Sequence, residues 1–549
     1  MTSGSFFMQT HKECSLFHLV LLDFSQMKKS LFLSIIPLLT LSGCITVAKS
    51  NSSKGSSKGE ESEVEASLSS SVESLSRFSE NADSSEGKSD SGLFDELFSS
   101  ASSLSIQLRF SNASLMALSK LQSASRKYDD VYFPADMELE LNGVKYAFAE
   151  VGVRMKGNTS RRAIVNNDNV IYQPCHFKVS FKETFDSEIY DDPKLSSFRK
   201  SWESAESRAK RKDRTLFGQK KIDLKYIPRN NGTCKVREIY AYQSFEKEGL
   251  LAPKATLASL TVSNDSSTLD GEFEVIECID KQFLKKRFSK ADAKGDLYKC
   301  VYNSRGKADL SRSGAVTKDT DPETGRTIGT RVAKGNIGVE DNWNGYVPNY
   351  QLKTNDDNGE ESDFTSLSNY INGIWNTVYG PDGGSSSMIE SVLDVDQFLK
   401  FSAVSYLLGN PDDQRYNYNN YYIYFIPSTG KAVYIPYDWD WCLGSAWNEG
   451  LQDNMKSTTP FDEWTIDNGT ASSVYYATFF KGKKDGMSLT FDRSSYQNAY
   501  LSYVKKGVED GILDPENYLS LTNTLHSSDN NEYESVSSYM NVKRARINS

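Results

Sequence analysis

Histidine is scarce in this chain, with four in 549 residues. Only His176 falls among the polar motifs described below, so a histidine-based triad or metal site is not expected. Cysteine is sparse as well, and no Cys-x-x-Cys or Cys/His spacing marks a zinc site. Setting aside Cys14 and Cys44, both near the start, leaves Cys175, Cys234, Cys278, Cys300 and Cys442. That odd number requires at least one free thiol. A basic excess is also lacking, since 63 Lys and Arg stand against 73 Asp and Glu, a net charge of −10. A general nucleic-acid binder would show the opposite balance, so no nucleic-acid partner is expected. The apolar run Leu31–Leu41 is too short to span a membrane. No internal repeat is visible.

That run does have the layout of an export signal. Met27-Lys28-Lys29 precedes it and Leu41-Ser42-Gly43-Cys44 closes it. The closing tetrad resembles the lipobox of bacterial lipoproteins, in which the cysteine is diacylated and becomes the first mature residue. The resemblance implies a protein lipid-anchored through Cys44 to the extracytoplasmic face of a bacterial cell membrane. Residues 1–26 lie upstream of the better start, so translation is expected to begin at Met27. Residues 45–103 are mostly Ser, Glu, Lys and Gly and cannot bury enough apolar surface to offset chain entropy, so a disordered tether is expected there.

Order is expected from Leu104. Ser105–Phe110 alternates as a strand, and Ser114–Ser123 reads as a short helix. Asn142-Gly143 between two alternating runs predicts a tight hairpin from Met137 to Val153. Further strands are expected at His176–Phe181, Leu257–Val262 and Phe273–Ile279, and a helix at Val236–Glu248 ending on Gly249. Residues 303–350 read as a long loop or insertion. Helices are expected at Leu367–Val378, Val395–Leu408 and through the tail from Tyr496, with a small hairpin at Tyr421–Phe425 and Val433–Ile435. The class is α+β, with a strand-rich first half and a helix-rich second half.

Two polar segments carry most of the chemistry. Gly409-Asn410-Pro411-Asp412-Asp413 is followed by Asn420, and Ile435-Pro436-Tyr437-Asp438-Trp439-Asp440 comes after a short apolar strand. Phosphoryl transfer from a nucleotide needs one Asp to orient and deprotonate the acceptor, and an Asn and a second Asp to hold magnesium. Magnesium keeps several waters, so two side chains can suffice. Neither His-Arg-Asp nor Asp-Phe-Gly occurs, so the protein-kinase signature set is missing. Upstream, Arg154 and Lys156 alternate on one strand before Gly157-Asn158-Thr159-Ser160, a plausible phosphate cradle or simply a solvated face. Lys178 sits in an apolar strand, where it suits the α/β-phosphates or an exposed sheet edge.

Taken in order, Arg154-x-Lys156-Gly157-Asn158-Thr159-Ser160, Lys178, the block Gly271–Leu284, Tyr350–Asn355, Gly409–Asn420 with Tyr421–Tyr424, and Ile435–Gly444 resemble the CotH family. These are atypical protein kinases related to bacterial spore-coat protein H, and the resemblance runs from about residue 104 to near the end, with an insertion at about 297–349. It implies a divergent two-lobed kinase fold with ATP and Mg2+ (or Mn2+) between the lobes. By position, Asp412 matches the catalytic Asp, with Asp413 as the competing base. Asn420 and Asp438 match the metal ligands, and Asp440 is a further ligand or a supporting group. Lys178 matches the nucleotide lysine, and Arg154, Lys156, Gly157, Asn158 and Ser160 match the phosphate loop. Glu277 matches an acidic position of the middle block. The implied function is an exported lipoprotein kinase acting on Ser or Thr of surface or secreted proteins, its own tether included. The alternative is a non-catalytic cell-surface binding or adhesion protein on a kinase-like fold. A carbohydrate-active or calcium-binding protein is a third reading, but the Asp/Asn run lacks the Gly and Glu of an EF-hand loop.

Overall fold

The computed structural model describes residues 89–157, 160–226, 236–302, 307–310, 317–320, 327–332, 335–339, 348–355, 362–379, 385–461, 479, 483–484, 487–488, 493–525 and 532–548. Cys44, Cys234 and Asn158 lie outside them, as does the tether up to residue 88.

Seven strands close a barrel: β1 (Leu104–Arg109), β2 (Phe133–Leu141), β3 (Val144–Lys156), β4 (His176–Ser180), β5 (Lys221–Tyr226), β6 (Ala255–Ser263) and β7 (Thr268–Glu277). Their order is β1-β2-β3-β4-β5-β7-β6, closed by a parallel pairing of β1 with β6. The β2–β3 turn is Asn142-Gly143 with φ of 51° and 83°, which fixes the register at Leu141 opposite Val144. Alternation decides the two faces. Val153, Met155, Phe177, Val179, Ile222, Leu224 and Val275 fill the interior, each such side chain contributing about 1.5–3 kcal/mol by leaving water. The polar residues between them point outward.

The helices are α1 (Asp90–Leu97), α2 (Asn112–Ala124), α3 (Ala205–Asp213), α4 (Arg237–Lys247), α5 (Lys281–Arg287), α6 (Thr365–Tyr379), α7 (Ser386–Val392), α8 (Val395–Leu408), α9 (Glu449–Ser457), α10 (Ser494–Glu509), α11 (Pro515–Thr524) and α12 (Tyr533–Asn548). Helix α1 corrects the expected start of order. It buries Leu93, Phe94 and Leu97 in the barrel core, capped by Ser89, whose hydroxyl accepts from the Gly92 amide. None of the described helices is long and apolar enough to cross a membrane.

A second sheet corrects the expected helix-rich half. Strands β8 (Leu297–Cys300), β9 (Thr317–Thr320), β10 (Thr327–Val332), β11 (Gly335–Val339), β12 (Tyr350–Leu352), β13 (Tyr421–Phe425) and β14 (Ala432–Pro436) lie in the order β14-β13-β8-β12-β11-β10-β9. The expected hairpin β13–β14 is thus one edge of a seven-stranded sheet. Strand β8, which the insertion was expected to contain, sits between β13 and β12. One face of this sheet and the C-terminal helices share an aromatic-rich core, in which Tyr421 stacks on Tyr434 at 5.5 Å and Trp439 is fully buried. The other face packs Tyr422, Tyr424 and Ile435 on Ile279 and on Phe283 and Leu284 of α5.

Candidate functional site

The hairpin register builds the centre of the site. Tyr421 pairs with Pro436, so Asn420, just before β13, lies beside Tyr437, just after β14. The Tyr437 amide donates to the Asn420 carbonyl at 3.2 Å. Asn420 and Asp438 both take left-handed φ values, 56° and 60°. Non-glycine residues carry a cost there that the surrounding structure must hold in place. Asp412 reaches the same place because α8 stops at Gly409, which adopts φ of 63°.

The Asp412 carboxylate accepts from the side-chain amides of Asn417 (2.6 Å), Asn419 (3.2 and 3.3 Å) and Asn420 (2.9 Å). Burial raises its pKa against those bonds, and the nearby Asp438 charge adds to the rise. Asp413 behaves differently. It is fully buried and binds the Arg415 guanidinium at 2.7 Å and the Arg415 and Tyr416 amides at 2.8 and 3.2 Å. Its oxygens are committed to holding the loop.

Asp438 meets the barrel. Lys225 on β5 contacts Asp438 and Glu238 of α4, each at 2.5 Å, and Asp440 at 3.2 Å. Burial works against the charge of Lys225, but these carboxylates hold it protonated well above the ordinary lysine range. Burial likewise opposes ionisation of Asp438, yet Lys225 and Lys156 keep its carboxyl well below the usual range. Burial pushes Asp440 up to about 7 against the pull of Lys225, and the Asp438 charge pushes the same way. The Tyr242 hydroxyl donates to Glu238 at 2.5 Å and accepts from the Asp438 amide at 3.0 Å, locking α4 to the post-hairpin loop. Across the strands from Lys225 stands fully buried Glu274, whose pKa burial and Glu238 raise well above the carboxylate range.

The outer face of β3, β4 and β5 forms the opposite wall. Lys156 and Lys178 close on Asp223 at 2.9 and 3.1 Å. Lys156 also lies 5.1 Å from the centre of the Tyr437 ring, and Lys299 of β8 lies 4.3 Å from it. Gly157 takes φ of 105°, and a Cβ there would lie 2.0 Å from the Ser160 hydroxyl, so no side chain fits. The His176 Nδ1 accepts from the Tyr226 amide at 2.9 Å. Burial, then Lys225 and Lys156, push its pKa down to about 3, so the ring is neutral.

Three of the expected site residues pair with groups outside the Asp412–Asn420–Asp438 cluster. The Lys178 ammonium contacts Asp223 and, at 3.5 Å, the Cys278 thiol. The lysine joined to Asp438 is Lys225, and its helix partner is Glu238. Arg154 is drawn away from the Gly157 turn, to Asp130 at 3.2 Å and the Asp129 carbonyl at 3.0 Å. Glu277 is fully buried in a fork with Arg287 at 2.9 and 2.7 Å and accepts from the Lys254 amide at 3.1 Å. The readable signal for Lys225 was Lys221-Ile222-Asp223-Leu224-Lys225-Tyr226, an apolar/polar alternation between charge-rich stretches. Glu238 had only its place in the first turn of the next helix. Cys175, Cys278, Cys300 and Cys442 are buried free thiols.

The described residues hold no cluster of three or more His, Cys, Asp or Glu side chains able to bind a metal. The donors present are an ionised carboxylate, Asp438, with 38% of its side chain exposed, and the neighbouring Asn420 amide. Two such oxygen donors suit a magnesium ion that takes its other ligands from phosphates and water.

Compared with known families, residues 192–535 match the model described as CotH kinase protein. No protein in the curated set matches the chain. The matched span contains Lys225, Glu238, Asp412, Asn420 and Asp438, whereas Arg154, Lys156 and Lys178 precede it.

Proposed function

The chain belongs to the CotH kinase protein family, and from that membership and the site geometry we propose that it is an exported lipoprotein kinase transferring the γ-phosphoryl group of ATP to Ser or Thr of a protein. The observation that carries this reading is the contact of one lysine, Lys225, with both a helix carboxylate, Glu238, and the post-hairpin carboxylate, Asp438. A strand lysine paired to a helix glutamate, with an Asp and an Asn beside it, is the arrangement that protein kinases use for phosphoryl transfer.

Lys225 holds the α/β-phosphates, and Glu238 fixes its ammonium from behind. Lys156 and the backbone at Gly157 flank the phosphates. Asp438 and Asn420 would hold Mg2+, which would supply neutralisation of the phosphate charge. Asp412 accepts the proton of the acceptor hydroxyl as its oxygen bonds to the γ-phosphorus. The bond from that phosphorus to the β–γ bridging oxygen breaks, and ADP leaves. The raised pKa of Asp412 suits a base that must gain a proton in the transition state. Asp413 keeps the loop in shape through Arg415. The serines of the chain's own tether are among the acceptors, and the Cys44 anchor keeps the enzyme at the extracytoplasmic membrane face.

The test is incubation of the full chain with labelled ATP and Mg2+ or Mn2+ beside Lys225→Met. Transfer by the parent and at least a hundredfold loss in the variant is expected, on the scale of removing a transition-state charge contact. ATP binding with no transfer by the parent would favour the non-catalytic surface-protein reading.

A further inference from the structure

The second sheet brings one more cation to the site. Lys299 is the third residue of β8, with Gln351 of β12 on one side and Tyr422 of β13 on the other. Alternation sets the faces. The flanking Tyr298 and Cys300 join the core under the C-terminal helices, so Lys299 shares the opposite face with Leu297 and Tyr422. That face borders the site. The Tyr422 and Tyr437 rings meet edge to face at 5.4 Å. The Lys299 ammonium lies 4.3 Å from the centre of the Tyr437 ring, which Lys156 of the barrel approaches to 5.1 Å. Just past Lys299 the chain is tied to the Asp412 loop. The Tyr302 amide donates to the Asn419 side-chain oxygen at 2.8 Å, and the Asn419 amide donates to Asp412.

Lys299 has no carboxylate oxygen within 4.0 Å and no hydrogen-bond acceptor among the described residues. It is half-buried, where an ammonium without an acceptor is costly. The carboxylates nearby are engaged with other groups. Asp223 takes Lys156 and Lys178, and Glu238, Asp438 and Asp440 take Lys225. Asp296, just before β8, accepts from Asn355 and Ser366 at 2.8 and 2.9 Å. Against burial, Lys225, Lys156 and then Lys299 keep Asp438 ionised. Lys299 acts there from beyond contact distance, on the carboxylate that is also the metal donor. Its two neighbours in the row are in the same condition. The Gln351 side chain is 5% exposed and the Tyr422 side chain 6%, and neither the amide nor the hydroxyl has a hydrogen-bond partner among the described residues. Three adjoining groups on one face therefore have hydrogens to donate and no protein acceptor.

We infer that Lys299, with the Gln351 amide and the Tyr422 hydroxyl beside it, is a ligand of the nucleotide's phosphate chain, reaching it from the second sheet while Lys156 and Lys225 reach it from the barrel. Phosphate oxygens accept what these groups donate and bring the negative charge that Lys299 lacks, in charge-assisted bonds stronger than neutral ones. A polyphosphate also has oxygens enough to serve a metal at Asp438 and Asn420 and the Lys299 ammonium together. With Lys156 and Lys299 both against the Tyr437 ring, the bound phosphates join the barrel to the second sheet. The inference rests on the kinase reading for the identity of the nucleotide but not for the affinity for polyphosphate.

Inorganic tripolyphosphate with Mg2+, titrated calorimetrically into the full chain, tests the site without the base or the transfer step. The parent should bind it. Lys299→Met, which keeps the aliphatic stem, should bind it about tenfold or more weakly, the scale of a lost hydrogen bond to a charged group. Lys299→Arg should retain most of the affinity. Mg-ATP should weaken by a similar factor in Lys299→Met, whereas competition by adenosine, which carries no phosphate, should be the same for parent and variant. A second measurement needs no variant to fold. Acetylation of Lys299 in the parent by acetic anhydride, read by mass spectrometry, should slow when tripolyphosphate is present. No binding of tripolyphosphate by the parent, equal binding by parent and Lys299→Met, an equal loss for adenosine, or unprotected Lys299 overturns the assignment. Weakened tripolyphosphate binding in Lys299→Met with no phosphoryl transfer from ATP by the parent keeps the phosphate ligand and overturns the kinase reading. Transfer by parent and Lys299→Met with equal kcat and KM keeps the kinase reading and overturns the ligand.

Discussion

Asp412 and Asp438 answer to different atoms, and their removal separates them. Asp438→Ala should weaken Mg-ATP binding and activity together, because Lys225 loses a partner and the metal a ligand. Asp412→Ala should leave binding nearly intact and lower kcat, the pattern of a contact made chiefly in the transition state. Calorimetric titration beside a turnover assay distinguishes the two. Asp413→Ala should instead unfold the loop. It strands Arg415, only 2% exposed, at a cost of about 3–5 kcal/mol, which a denaturant curve reads. His176 makes a pH prediction. Its folded pKa of about 3 lies below the unfolded value of about 6.5. The unfolded state therefore takes up a proton first, and stability falls as pH drops from 6.5 towards 3, by at most about 1.4 kcal/mol per unit. His176→Gln, which cannot titrate, should flatten that slope in melting curves taken across this range.

At the scale of elements, the turn after α8 is the part most exposed to a single change. Gly409 caps the helix at φ of 63°, and a Cβ there would lie 2.0 Å from the Tyr539 hydroxyl of α12. That hydroxyl donates to the Leu407 carbonyl at 3.0 Å, so it has little freedom to yield. Gly409→Ala should cost at least the roughly 1–2 kcal/mol of a left-handed alanine, lowering the melting temperature and displacing Asp412. The elements themselves were largely readable. The Asn142-Gly143 hairpin, the helix Val395–Leu408 and the strands of the carboxylate hairpin fall where periodicity puts them. Strand β5 was passed over because its six residues lie between charge-rich segments. Strands β9, β10 and β11 were hidden in Gly-, Asp- and Thr-rich sequence, where only pairing with one another and with β12 gives extended structure a reason to persist.

For the molecule as a whole, the leader and the folded part make separate demands. If Cys44 carries lipid, a diacylated cysteine anchors firmly where one chain binds only marginally. Cys44→Ser should then move the protein out of the membrane fraction without altering its melting temperature. Recovery of the variant at the membrane in unchanged amount would count against the anchor.

The α+β character, the Asn-Gly turn, the polar motifs around Asp412, Asn420 and Asp438, and the family itself were all legible in the chain, because each depends on residues close together in sequence or on a short motif in fixed order. The partnership of Lys225 with Glu238, Asp438 and Asp440 and the commitment of Asp413 to Arg415 and of Glu277 to Arg287 were not. Which carboxylate takes which cation depends on barrel closure and on the hairpin register. Lys225 and Asp438 are 213 residues apart, and local patterning carries no information about which charges will share one buried wall.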